Sequence, residues 1–554
     1  MDLLDEMTLT IADGLQSRSL TNCLRWAAKR RVMTGDFSGP YSAKFHPWVK
    51  EMTNSKTPFN YAMKGAQLGI TEILINLAFY ALDQLHRDVL YVLPTSKNAG
   101  DFSKSRFTPA LKNSPYLDSI FTDINSIELK QAGSNTLYIR GSRGDSNLKS
   151  IPVSVLLMDE VDEMSQRAIV LALERLSGSL SKTVWGISTP TVPNFGIHKL
   201  YKESTQEHFV FKCPCCGRQT KLIWPDCVEI IGEHISDPRC AESFLKCKEC
   251  GGRLEHQAKP DWLGSATWES TNHGGNPEIR GFGNLSQLYS FTVTPGELAV
   301  AHFKGFGDEV SNVEFHNSKL GMPYIGDGAK IVDEDIDACI RDYSKDDARP
   351  RTADRVITMG VDQGKWNYVE INEWFFDKYS SDLNVSARPK VLYEFKFHEE
   401  DWHFLDELMR EWQVWACVID ADPQIMEARR FARRFPGSVW LCRFRRGVTA
   451  KEISEIEDGE GAPIIHVDRA NWFSAALGRF REPRRIELPR DVSHDYREHL
   501  KAPVRTYKRD ENDNPQTIYV STGPDHFALS RVYSEIALPF AASIQTGEDI
   551  QKFL

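Results

Sequence analysis

The sequence predicts an α/β protein with mainly parallel sheets, and three observations carry that prediction. An apolar run over 153–158 enters Asp159-Glu160 with little polar interruption. Such a run reads as a strand buried on both faces, as in a parallel sheet. Ahead of it, a short strand over 60–63, a glycine-containing loop, a helical pattern over 71–86 and a strand over 89–93 form a β-α-β unit. Far downstream, 356–362 and 414–420 are again apolar runs that end in an acid. Ligands of parallel sheets bind at the carboxyl ends of the strands. Acidic residues therefore fall where chemistry is expected in both halves of the chain.

A chain of 554 residues holds roughly three domains by length. No apolar run approaches the ~20 residues of a membrane span, and the acidic start of the chain lacks a signal-peptide pattern. A net charge of −10 excludes a global polycation, so any nucleic-acid contact must come from local basic patches. Seven of the eleven cysteines lie between 213 and 250. Paired clustering without a secretory signal argues for metal ligation in a reducing compartment over disulfides.

Residues 1–37 read as a helical segment. A turn-rich stretch around Gly39-Pro40-Tyr41 and Pro47-Trp48 follows. Tyr41 is a candidate for packing on an adenine ring, with an ordinary core role as the plainer reading. The loop Lys64-Gly65-Ala66-Gln67-Leu68-Gly69-Ile70-Thr71 then leads into the first long helix. A strand, a glycine loop and a helix N-terminus together cradle phosphate with backbone N–H groups and the helix dipole. The usual loop carries lysine directly after its last glycine, where this chain has Ile70. Lys64, at the front of the loop, is the natural substitute cation, and Thr71 can offer a hydroxyl to Mg²⁺.

In a nucleotide-hydrolysing site Asp159 would hold Mg²⁺ and Glu160 would polarise the attacking water. The next apolar strand, 183–187, ends in Ser188-Thr189-Pro190. Hydroxyls placed there can sense a γ-phosphate and relay its loss. Arg140 and Arg143 are weaker candidates for phosphate or DNA contact, since loop arginines are usually solvated.

Cys213-Pro-Cys-Cys216-Gly and Cys247-Lys-Glu-Cys250-Gly are two knuckles suited to tetrahedral Zn²⁺. Their separation exceeds the commonest spacing, which leaves room for an insertion involving Cys227 or Cys240. Four thiolates leave no open coordination position, so a structural role is favoured.

A charged stretch, Asp333 to Arg355, reads as the linker to the next domain. In the C-terminal part, a strand ending at Asp362, a glycine-containing turn and a second strand suggest an RNase H-like nuclease. Asp420 ends a second apolar strand, with Asp422 in reserve, and Asp525 precedes a helical stretch over 528–538. Two metal ions about 4 Å apart need several shared carboxylate oxygens, and these acids would supply them. Sixteen arginines fall between 429 and 509. A helix over 424–434 gathers Arg429, Arg430, Arg433 and Arg434 on one side, where guanidinium forks suit phosphate oxygens. A solvated face balanced by nearby acids is the alternative.

Taken together, Lys64 ahead of a deviant loop, Leu157-Met158-Asp159-Glu160, Ser188-Thr189-Pro190 and the paired cysteines resemble the large terminase subunit of tailed bacteriophages. The resembling family is the one typified by phage lambda's DNA-packaging protein A, and the likeness covers about 38–540. It implies a P-loop ATPase of the ASCE type over 38–205 and a zinc-ribbon insertion over 206–262. It further implies the remainder of the ATPase and a linker over 263–350, with a nuclease over 351–554. Ser188-Thr189-Pro190 would couple ATP turnover to DNA movement, and Mg²⁺ or Mn²⁺ would serve cleavage at Asp362, Asp420 and Asp525. Many members carry His-x-x-Asp in the last motif, whereas here His526 is followed at that spacing by Leu529. The resemblance also implies double-stranded DNA, a small terminase subunit, the portal protein of a procapsid and a homo-oligomeric ring as partners. It implies action in the host-cell cytoplasm, away from membranes. A helicase or remodelling ATPase with a non-cutting C-terminal domain, and a non-catalytic DNA-binding scaffold, are the alternatives.

Overall fold

The computed structural model describes residues 22–121, 124–144, 148, 151–347, 355–376, 386–445, 454–456, 462–510, 514–547 and 550. The chain divides into two units, Met1–Tyr324 and Ile325–Leu554. Residues 1–21 of the expected helical segment lie outside the described residues, and Cys23–Arg30 is helical. Among the described residues no helix is long and apolar enough to cross a membrane.

The first unit is built on a ten-stranded sheet. Its centre runs Ile279–Leu285, Phe59–Lys64, Thr183–Ser188, Val155–Asp159, Val89–Leu93 and Asn135–Gly141, every neighbour parallel. Val155–Asp159 and Val89–Leu93 are buried at every position, as expected of strands covered on both faces. Helix Ile70–Asp83 carries ten buried residues and fills one face. Glu207–Lys212, expected within the ribbon insertion, instead pairs with Ile279–Leu285 and Thr267–Ser270 in this main sheet. The ribbon proper carries three short antiparallel strands, Val228–Glu229, Phe244–Lys246 and Arg253–Leu254.

The second unit holds a seven-stranded mixed sheet. Ala387–His398, Trp366–Phe376 and Val356–Asp362 form an antiparallel meander. Ala416–Asp420, Val439–Phe444 and Ile464–Val467 then continue from Val356–Asp362 in parallel. This is the RNase H-like order anticipated from the strand-end acids. The charged stretch 333–355, expected as a linker, departs from that reading where it is described. Ile336 and Cys339 are buried in the core of the second unit, because apolar residues recur among its charges.

Helix His526–Thr546 crosses Val356–Asp362 at Gly360, where a Cβ would collide with the backbone of Ser530 and Ser534. Only glycine permits that approach. The helix is fixed by buried charge as well. Arg531 is fully buried, pairs with Glu370 at 2.9 Å and also contacts Glu535, which Arg479 grips in turn. Removing one member of a buried ion network leaves charge uncompensated, at a cost of about 3–5 kcal/mol. Arg531→Met is therefore expected to destabilise the second unit by roughly that amount, read as a lowered denaturant midpoint.

Candidate active sites

The strand ends and the helix start of the first unit bring seven predicted residues together. Lys64 closes Phe59–Lys64 and is buried; its Nζ lies 3.3 Å from Glu160 Oε1 and 3.4 Å from Thr189 Oγ1. Asp159 closes its own strand and is also buried. Its Oδ2 accepts from Tyr91 OH at 2.9 Å, and Thr71 donates to the same carboxylate. Asp159 Oδ1 is buried with no protein partner. Burial, reinforced by Glu160, pushes the Asp159 carboxyl up to about 6, while Lys64 opposes the shift. A carboxylate in that position lacks positive charge. Glu160 adopts the left-handed conformation, φ 62° and ψ 57°. Ser188 Oγ lies 3.4 Å from Glu160 Oε2, and Pro190 is buried behind it.

The loop itself departs from the expected cradle. Gly65 N donates to Leu285 O and Ala66 N to Ser318 O, both at 2.7 Å. Those two amides brace the loop against downstream chain instead of facing a phosphate. What remains is the turn Gln67-Leu68-Gly69 with the helix start at Ile70 and Thr71. Gln67 (φ 58°) and Gly69 (φ 72°) are left-handed, a geometry that aims successive amides into one concavity. Leu68 is buried, and its carbonyl accepts from Trp48 Nε1 at 2.9 Å. The His46 ring packs against Gly69. Tyr41 is buried in the core of the first unit. The aromatic supports beside the loop are His46 and Trp48, which the Pro47-Trp48 turn marked without assigning a role.

In the second unit Asp362 and Asp420 end adjacent parallel strands, one residue past the paired Val361 and Ile419. Burial pushes Asp362 up to about 6 and Asp420 up to about 7. His526 Nδ1 lies 2.8 Å from Asp362 Oδ2, stacks on Tyr368 at 4.6 Å, and is raised in pKa first by that hydrogen bond. Tyr533 bonds to Asp420, and Gln363 ties Asp420 O to Gln424 N. Asp525 accepts from Ser521 and lies 3.5 Å from Arg469. Asp422, held in reserve for the second acid, pairs with Arg443 at 2.8 Å, and its backbone N–H donates to Asp420 Oδ1 at 3.1 Å. His526, Arg469 and Gln363 went unassigned in the sequence, because only folding brings them to the strand ends.

The cysteines converge as well. The Sγ atoms of Cys213, Cys216, Cys247 and Cys250 all lie within 4.8 Å of one another. Backbone N–H groups of Cys215, Glu249 and Gly252 point at Cys213, Cys247 and Cys250, and the N–H of Arg218 helps draw Cys216 down to about 7. Cys227 and Cys240 are buried outside the cluster, bonded to Lys221 O and His234 O.

Two family models match successive parts of the chain. Residues 35–268 match the phage terminase large subunit gpA, ATPase domain, and residues 279–545 match the terminase large subunit gpA, endonuclease domain. The chain belongs to the phage terminase large-subunit family. A curated relative, the terminase large subunit of Enterobacteria phage P21, is 26% identical over 229 residues; the match covers 38% of this chain and only 35% of that protein. Among solved structures, the HK97 bacteriophage large terminase is 10% identical with a TM-score of 0.45, covering 94% of this chain and 99% of that one. The Thermus phage P74-26 large terminase ATPase domain is 11% identical with a TM-score of 0.31, covering 52% and 95%.

On the terminase nuclease domain, helix Ile425–Arg434 forms close to the expected bounds, with Ala428, Phe431 and Ala432 buried. Its arginines are engaged within the protein. Arg434 forks onto Asp406 at 2.7 and 3.0 Å, Arg430 pairs with Glu427, and Arg429 and Arg433 also have partners. On the ATPase domain, Gly321 (φ +65°) sits against the loop, and a Cβ there would meet Gly65 N at 2.5 Å. Gly321→Ala is expected to displace the loop and weaken binding of a fluorescent ATP analogue by roughly tenfold, since small misplacements at a site carry large penalties.

Proposed function

We propose that this chain is a DNA-packaging motor that moves double-stranded DNA into a capsid at the expense of ATP and cuts concatemeric DNA with divalent metal ions. The observation that carries the reading is repeated in each terminase domain. Buried carboxylates close the central parallel strands, their pKa raised by burial with too little internal countercharge.

The residues of the first site fit ATP with Mg²⁺. The unpartnered Asp159 Oδ1 and the adjacent Thr71 hydroxyl are the donors for Mg²⁺, which neutralises phosphate charge when bound. Lys64 and the amides at the helix start bind the phosphates. Glu160 orients the attacking water, and Ser188-Thr189-Pro190 relays phosphate loss towards DNA movement. In the second domain Asp362, Asp420 and Asp525 are the carboxylates for Mg²⁺ or Mn²⁺, ions that stabilise the attacking and leaving oxygens of the phosphodiester. The four thiolates fit Zn²⁺: the 4.0 Å between Cys213 and Cys250 Sγ is close to the roughly 3.8 Å edge of a tetrahedron with Zn–S bonds of about 2.3 Å. That site folds the ribbon.

Arg429, Arg430, Arg433 and Arg434 supply backbone contacts to DNA. Each exposed pair such as Arg430–Glu427 is worth only about 0.2–1 kcal/mol, so a phosphate can replace the internal partner. The family further supports a small terminase subunit, the procapsid portal and a homo-oligomeric ring as partners, acting in the host-cell cytoplasm.

Two variants test the reading in the full-length protein. Asp362→Ala is expected to abolish nicking of supercoiled plasmid in Mn²⁺ while ATP hydrolysis continues. Glu160→Gln should lower the ATP turnover rate by at least roughly a hundredfold while cutting persists. Equal cutting by wild type and Asp362→Ala would remove the nuclease assignment. Zinc content should fall from one ion per chain on Cys250→Ser, with a lowered melting temperature.

A further inference from the structure

Asp162 stands three residues beyond Asp159 and has no part in the chemistry described so far. It is buried, and its carboxylate accepts three hydrogen bonds: Oδ2 from Thr191 N and Thr191 Oγ1, both at 2.8 Å, and Oδ1 from Ile197 N at 2.6 Å. Its own N–H donates to Ser188 Oγ at 3.2 Å. The space around it admits nothing larger: a Cβ on Gly196, itself left-handed at φ +49°, would collide with Asp162 Oδ1. The residue thus pins the turn after the hydrolytic carboxylates to the segment that follows Ser188-Thr189-Pro190.

That turn needs pinning. Glu160 holds a left-handed backbone, which costs a non-glycine residue energy and persists only where the surroundings over-determine it. Asp162 and Ser188 are those surroundings, and Ser188 Oγ also reaches Glu160 Oε2. The carbonyl of Thr191 in turn accepts from Tyr324 N at 3.0 Å, and Tyr324 is the last residue of the first unit.

We infer that Asp162 and Thr191 form a positioning latch that holds Glu160 in its reactive backbone conformation and ties that conformation to the 188–191 segment. The inference rests on the proposed role of Glu160 in ATP hydrolysis. The latch touches neither phosphate nor metal, so its loss should slow the chemical step without weakening nucleotide binding.

The test is steady-state ATP hydrolysis by the full-length protein with three substitutions. Thr191→Val removes the hydroxyl donor at nearly constant volume, and Asp162→Asn turns an acceptor oxygen into a donor facing donors. Both are expected to lower kcat roughly ten- to hundredfold, the scale of a misplaced catalytic group, with KM for ATP held within about twofold of wild type. Thr191→Ser, which restores the hydroxyl, should recover wild-type kcat. A wild-type kcat in Thr191→Val, or KM and kcat worsening together with no recovery in Thr191→Ser, would overturn the latch. No ATP hydrolysis by wild type itself would instead overturn the nucleotide reading on which the latch rests.

Discussion

Charge held at the ends of buried strands is the constraint on which the rest of this molecule depends. Asp159, Asp362 and Asp420 close strands packed on both faces, where the protein around them cannot solvate an anion well. Burial raises the pKa of a carboxylate in such a place, and a nearby cation lowers it again. Elsewhere the fold compensates buried charge thoroughly, as where Arg531 meets Glu370 and Glu535. The contrast separates charge that the fold compensates from charge that the proposed metal ions would compensate. Networks that fix the fold are closed, whereas the strand-end acids remain short of positive partners.

Close backbone approach shapes both units. Gly360 lets the last long helix settle onto the strand that carries Asp362, and Gly321 lets downstream chain lie against the phosphate loop. The loop amides of Gly65 and Ala66 are held by Leu285 and Ser318. The ATPase domain is therefore completed by residues far along the chain, on the other side of the ribbon. A degenerate loop lacking the usual lysine is kept in shape by those braces, by Trp48 beneath Leu68 and by Lys64 reaching in from the preceding strand.

Much of this was legible in the sequence where local pattern and function coincide. Continuous apolar runs ending in acid marked Val155–Asp159, Val356–Asp362 and Ala416–Asp420 as central strands, because nothing but double-sided burial explains such runs. The paired cysteines marked their own meeting point, and the structure selects Cys216 over its neighbour Cys215. What local pattern could not show is which distant side chains complete a site. His526 meets Asp362 across 164 positions of chain, and Thr191 meets Asp162 across 29. At Tyr41 the plainer reading from the sequence was an ordinary core role, and the residue is buried in the core. The charged 333–355 stretch misled because its sparse apolar residues, Ile336 and Cys339, share one buried side.

The most direct test of the central claim is the thermal stability of the second unit in the full-length protein at neutral pH, with and without Mn²⁺, for wild type and Asp362→Asn. A carboxylate buried without its cation weakens the metal-free fold, and a ligand at a hundred times its Kd stabilises by about 2.7 kcal/mol. Asp362→Asn is expected to melt higher than wild type in chelator, and Mn²⁺ to raise the wild-type melting temperature while leaving the variant unmoved. A wild type indifferent to Mn²⁺, or a metal-free variant less stable than wild type, would contradict the claim.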